Sequence, residues 1–364
     1  MCPKAAQSYR RLHLVRIACP MQLSSLVLLA RVLLASVFLL VLAACTPQQR
    51  SEGPRGGTRT ATASRTGSAF TLFTLPAGQG RLGSLLAVSG GDIWLTWFDA
   101  GKIGHLRPDG TVAATFPLPE SHAGPYSLAL GPDGAIWFTE TYVPSIGRIS
   151  PSGQITEFAG LSQPATALAR GPDGNLWFSE YSGDAIGWIT PNGAVHEIPL
   201  APGSRPGGLA FGPDGNLWVA ESSRDSIARV TRGGSGTVTE YHLPKPVSTV
   251  ERSPEDIDAG PDGNLWFTEH DASAIGRITP GGVTTEFTLP LPGSFPQGLV
   301  VGPDGNLWFA EWGANTLGRI TPQGVLTEYA IPSAQGAPIG LAVGSGGALW
   351  FADTEGTYLG RLTP

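Results

Sequence analysis

The chain has 364 residues, with 23 Lys and Arg against 29 Asp and Glu, 50 Gly and 32 Pro. Charged residues make up only 14% of it, and Gly with Pro over a fifth, which excludes coiled coils, helical bundles and charge-rich disorder and favours short strands joined by tight turns. A formal charge of −6 excludes the basic face that nucleic-acid binding needs to displace phosphate counterions.

Residues 1–44 carry Lys4, Arg10, Arg11, Arg16 and Arg31 and no acid, and Arg31 leads into an apolar run from Val32 to Ala44. A basic stretch followed by an apolar run of this length reads as a secretory signal and is short for a membrane span. The run ends Leu42-Ala43-Ala44-Cys45, which resembles the bacterial lipobox, in which the thiol takes a diacylglyceryl group. The expectation is a lipoprotein signal peptide over 1–44, begun at Met1 or Met21, with an ordinary cleaved signal or an uncleaved anchor as the alternative. Cys2 and Cys19 fall inside the presequence, so no disulfide is expected. Residues 46–68 lack large apolar side chains and read as a flexible tether from the lipidated Cys45. One lipid plus a polar spacer implies a domain on the extracytoplasmic side of the bacterial envelope, touching the membrane through its anchor only. The domain itself, residues 69–364, carries 14 basic and 28 acidic residues.

From residue 70 the chain repeats. Gly-Pro-Asp-Gly-Asn-Leu-Trp-Phe begins at Gly171, Gly260 and Gly302, with variants at Gly131, Gly212 and Gly344. The repeat tryptophans, Trp94, Trp137, Trp177, Trp218, Trp266, Trp308 and Trp350, recur at the period of a four-stranded propeller blade. The fifth unit reads as strands over 256–259, 265–269, 274–279 and 284–289, with Pro-Asp-Gly and Pro-Gly-Gly supplying the turns. The seventh unit stops after its third strand. Its missing fourth, elsewhere Thr-Glu-Phe-x-Leu-Pro, stands at the start as Thr71-Leu72-Phe73-Thr74-Leu75-Pro76. The chain is therefore all-β, a seven-bladed propeller whose last blade is closed by the N-terminal strand, three strands plus one, and is expected to act as a monomer.

Strand direction places the start of each first strand and the end of each second strand around one mouth of the channel. Counted from the blade's Trp, position −11 is Gly83, Tyr126, Thr166, Gly207, Glu255, Gln297 and Ile339. Position +3 is Trp97, Glu140, Glu180, Glu221, Glu269, Glu311 and Asp353. Acids at six of seven +3 positions suit a divalent cation, or else each caps backbone N–H groups as part of the repeat. Unit four is the longest. Its insertion over 245–255 ends in Glu255-Asp256 beside Glu269-His270, the sharpest constellation, with a solvated loop as the plain alternative. His105, His196 and His242 fall on outer strands and read as structural; His122 and His270 fall on mouth loops three blades apart.

The unit Leu-Trp-Phe-x-Glu…Ile-Gly-Arg-Ile-Thr-Pro…Thr-Glu-Phe-x-Leu-Pro resembles the virginiamycin B lyase (streptogramin lyase) family, most closely over Trp308–Asn315. The resemblance covers about 70–364 and implies a carbon–oxygen lyase that opens a cyclic depsipeptide by elimination, with magnesium polarising the carbonyl and a histidine removing the α-proton. It also implies Pro-His at the opening of the last two blades, an acid two residues before the final His, and a Tyr at the first opening. Here those positions are Pro296-Gln297, Pro338-Ile339, Ala337 and Gly83, and only Asp353, near a metal-binding acid, keeps its type. Two readings stay open. One is a propeller without the lyase chemistry whose mouth binds a small molecule or an envelope protein, through Tyr126, Glu255, Asp256, Glu269, His270, Gln297, Glu311 and Trp312. The other is a Mg²⁺-dependent lyase whose site has moved to Glu255, Asp256, Glu269 and His270.

Overall fold

The computed structural model describes residues 69–77, 80–231, 236–244, 251–333, 336–354 and 358–363. The expected signal, Cys45 and the tether lie outside the described residues, as do 245–250 of the insertion. Seven antiparallel four-stranded sheets follow one another. Blades 1 to 6 span 82–117, 125–159, 168–199, 206–242, 254–288 and 296–330. Blade 7 takes Pro338–Val343, Leu349–Asp353 and Tyr358–Thr363, and its outer strand is Ala69–Thr74, in register from Ala69↔Thr363 to Thr74↔Tyr358. This closing strand begins two residues earlier than the sequence suggests and ends before Pro76, which has no N–H for the ladder.

The repeated phrase builds each blade's far end. In Gly302-Pro-Asp-Gly-Asn-Leu-Trp308, Asp304 accepts the Trp308 indole N–H (3.1 Å) and the Asn306 N–H (3.2 Å), while Gly305 turns the chain at φ +72°. A side chain at Gly302 would collide with the Trp308 ring. Tyr329 of the fourth strand stacks on that ring at 5.0 Å, and the Arg319 guanidinium lies over it at 5.9 Å. Blade 5 repeats the arrangement with Asp262, Trp266, Phe287 and Arg277.

No single core fills the molecule. Both faces of every sheet are covered by neighbouring blades, so the core is a set of wedges. Trp266, Ile275 and Leu289 of blade 5 pack on Leu299, Leu307, Phe309 and Ile320 of blade 6, all buried. Each such side chain contributes about 2 kcal/mol of apolar burial. The first strands surround the axis and enclose a channel of about 510 Å³. Side chains and backbone link them around it: Thr139 Oγ1 accepts Ser127 N–H and donates to the Thr166 carbonyl of the next blade.

Candidate functional site

At the mouth of six blades, the residue after the second strand, position +4, ties back to position −13. The amides of Phe98, Thr141, Ser222, His270, Trp312 and Thr354 donate to the carbonyls of Arg81, Gly124, Arg205, Ser253, Phe295 and Ala337. Arg205, Ser253 and Phe295 hold φ near +48°, a left-handed backbone that non-glycine residues rarely adopt. The mouth therefore carries two rings of side chains, −11 inside and +4 outside. The outer ring includes Phe98, Tyr181, His270 and Trp312, all partly accessible. Of these, the sequence reading singled out only His270 and Trp312; Phe98 and Tyr181 become visible once the repeat is followed one residue past the strand, and Phe295 once its −13 partner is traced.

Blade 5 supplies the charge. Glu255 occupies the inner ring, and among the described residues no donor lies within hydrogen-bond distance of its carboxylate. Burial, then the nearby Asp271 and Asp256, push it up to about 7, with His270 opposing. Tyr126 of blade 2 faces the same space: burial and then the fields of Glu255 and Asp256 raise its phenol to about 12. Tyr181 is raised by burial and then by Glu255, and the Arg205 guanidinium lies 5.8 Å over its ring. The His270 Nδ1 lies 3.0 Å from Asp271 Oδ1, and Ser253 Oγ donates to Asp271 Oδ2 at 2.6 Å. That bond from His270 holds the Asp271 carboxyl below the usual range. The imidazole stacks on Phe295 at 4.9 Å, and Phe295 meets Trp312 at 5.9 Å.

Asp256 has a structural role. Its Oδ2 accepts Leu299 N–H from blade 6 at 2.8 Å and its Oδ1 accepts Ile257 N–H, so it ties two blades along the channel wall. Asp258, two residues on, also lines the channel, and burial raises it to about 6. Sequence reasoning passed over Asp258.

The +3 acids do not line the mouth. Glu140, Glu180, Glu221, Glu311 and Asp353 are fully buried and Glu269 nearly so. The second strand lies one row out from the axis, so its side chains enter the wedges between blades. There Gln163 N–H donates to Glu180 and Ala337 N–H to Asp353, backbone caps of the kind the structural alternative expected, while Glu221 takes the Ser226 hydroxyl instead. Glu269 is thus separated from Glu255 and His270. It lies 3.3 Å from the buried Arg252, whose Nε donates to Glu286 at 2.9 Å. Burial and then Glu286 push Glu269 to about 8, against the pull of Arg252. Glu311 is raised to about 7 by burial and then by Glu328.

The magnesium implied by the sequence resemblance does not fit these residues. Among the described residues no three His, Cys, Asp or Glu side chains converge. Asp353 is buried and caps Ala337, while Ile339 is apolar and buried. Gln297 keeps a place in the inner ring. His122 is 82% exposed and bonds to Ser121, and no described contact links it to His270. His105 and His196 stack on Trp94 and Trp188, the structural positions expected.

Fold and mouth together define a seven-bladed β-propeller with one asymmetric, aromatic-lined opening. The virginiamycin B lyase family model matches residues 57–250 and 235–364, and the chain belongs to that family. A streptogramin B lyase structure is 33% identical over 81% of this chain and 97% of its own, with a TM-score of 0.75. Virginiamycin B lyase from Staphylococcus aureus is 34% identical over 82% of this chain and 99% of its own (TM-score 0.76), as is its catalytically inactive histidine-to-alanine variant with quinupristin. The WD40 propeller of Doa1, at 11% identity and a TM-score of 0.66, shares the fold alone. No match was found among curated proteins.

Proposed function

We propose that this family member is an extracytoplasmic binding module, held to the membrane by a lipid on Cys45 and acting as a monomer, whose mouth takes a small molecule or an envelope protein without opening it. One observation carries the reading: the openings of blades 6 and 7, where the family resemblance implies histidines, present Gln297 and a buried Ile339, with Ala337 beside them. Neither an amide nor a branched alkyl chain takes up an α-proton. What remains at the mouth is contact surface, in Tyr126, Tyr181, Phe295, Trp312 and Glu255.

A second reading rests on His270. With Nδ1 engaged by Asp271, its Nε2 is the basic nitrogen, which is the arrangement a proton-abstracting imidazole uses. In that reading His270 takes the α-proton, the ester C–O bond breaks, and a C=C bond and a carboxylate form.

The deciding experiment incubates the purified full chain with a type B streptogramin, with Mg²⁺ and with EDTA, and follows ring opening by mass spectrometry. The expected result is intact substrate in the presence of folded protein. Opening without addition of water, abolished by His270→Ala, overturns the binding reading in favour of the second.

A further inference from the structure

The mouth's chemistry is uneven in a way that specifies a ligand class. Its inner ring holds one acid, Glu255, among Gly83, Tyr126, Thr166, Gly207, Gln297 and Ile339. The other carboxyls nearby are engaged: Asp271 by His270 and Ser253, Asp256 by Leu299 and Ile257. Glu255 alone has no donor among the described residues, and it is half-buried beside Asp256, Asp271 and His270, with Tyr126 and Tyr181 across from it. A carboxylate left so in a low-dielectric cup is costly unless a cation meets it.

The surrounding surface is aromatic. Phe295 is clasped between His270 and Trp312 at 4.9 and 5.9 Å, and Phe98 meets Tyr126 edge-on at 6.2 Å. The face of Tyr181 already accepts a cation, the guanidinium of the exposed Arg205. Aromatic faces around one carboxylate suit a large, weakly hydrated cation, whereas a metal ion needs several converging oxygens, and no three such side chains converge among the described residues.

We infer that the mouth is built for an organic monocation, an ammonium on an aromatic or alicyclic body, with Glu255 as its counter-charge and the Phe295–Trp312 pair as the seat of the body. The inference rests on the mouth-binding reading and names its ligand class. Binding strengthens as Glu255 ionises, so it is lost as pH falls through the Glu255 transition near 7. Asp271 stays ionised through this range, Asp256 stays bonded to the backbone, and the raised phenols of Tyr126 and Tyr181 stay neutral.

The test is calorimetric titration of the full chain with benzyltrimethylammonium and, separately, with the neutral benzyl alcohol. The expected result is binding of the cation that weakens by about tenfold in Glu255→Gln. Trp312→Ala weakens both probes, and melting temperatures show that each variant is folded. If Glu255→Gln binds the cation as well as the parent, or the alcohol binds as tightly as the cation, the inference is overturned. Trp312-dependent binding of the alcohol would then leave the mouth-binding reading standing. If neither probe binds the parent, both fall.

Discussion

Blades 5 and 6 are nearly the same object at one end and different objects at the other. Their second strands read Leu-Trp-Phe-Thr-Glu and Leu-Trp-Phe-Ala-Glu, and Asp262 and Asp304 hold the two indoles at 3.0 and 3.1 Å. At the mouth, blade 5 offers Glu255 and His270 where blade 6 offers Gln297 and Trp312. Inside the wedge, Glu269 and Glu286 have Arg252 beside them, while Glu311 and Glu328 have the hydroxyls of Ser294 and Thr316 near Glu311. Scaffold demands sit in the far turn, the Trp stack and the buried +3 carboxyl. Residues at −11, −13 and +4 lie beyond those demands, so individual blades are free to differ there.

The largest effect should come from breaking the feature that blade 6 lacks. Arg252→Met leaves Glu269 and Glu286 facing each other without a cation and removes two charged hydrogen-bonding contacts. We expect a loss of about 3 kcal/mol in urea unfolding, below the full range for buried pairs because Glu286 is partly exposed. Ser294→Ala, the matching change in blade 6, should cost about 1 kcal/mol or less. Equal losses would show that Arg252 is only packing.

Proton linkage comes next. Glu311 ionises near 7 in the folded chain and near 4.3 when unfolded, so as pH rises the unfolded state releases its proton first. Its contribution to stability is full below about 4.3 and is lost as pH climbs through 7. Glu140 and Glu180, also raised to about 7, and Glu269, to about 8, act in the same direction. The protein should therefore be less stable at about pH 9 than at about pH 5, and Glu311→Gln should shrink that difference by about 2 kcal/mol. A flat profile in the parent would show that these carboxyls are hydrated.

Smaller again, Asp304→Ala and Asp262→Ala should each cost about 1.5 kcal/mol, by loss of the indole and Asn bonds, and should agree with each other within about 0.5 kcal/mol. Disagreement would show that the two far ends are not equivalent. Smallest, His270→Ala should change the unfolding free energy in urea by less than about 0.5 kcal/mol, since its ring sits at the mouth and outside the wedges.

The propeller was legible because the repeat is printed in tryptophans and Gly-Pro-Asp-Gly turns, each with a local physical role. The place of Glu255 at −11 was read from strand direction, whereas the channel-lining role of Asp256 and Asp258 was not. The six +3 acids were harder to place. Strand direction puts their backbones near the mouth, but only the first strand of a blade borders the channel, so Glu269 and Glu311 turn into wedges. Arg252 escaped notice because it stands at a position where other blades carry small or uncharged residues, and nothing local marks it as buried. Phe98 and Phe295 follow no motif and reach the rim through the repeated +4 to −13 backbone bond, and Tyr181 takes the same +4 place in blade 3.

The closing strand sets a timetable. Ala69–Thr74 pairs with Tyr358–Thr363, so the first strand of the domain made by the ribosome waits for the last. At ordinary elongation rates the separation of about 290 residues is roughly 15 to 60 seconds of synthesis. During that interval Phe70 and Leu72, which finally pack near Trp308 and Phe351, have no partner, and six blades can assemble with the ring still open. Closure is thus the pairing of greatest sequence separation in the domain, the kind of contact that costs most loop entropy to make.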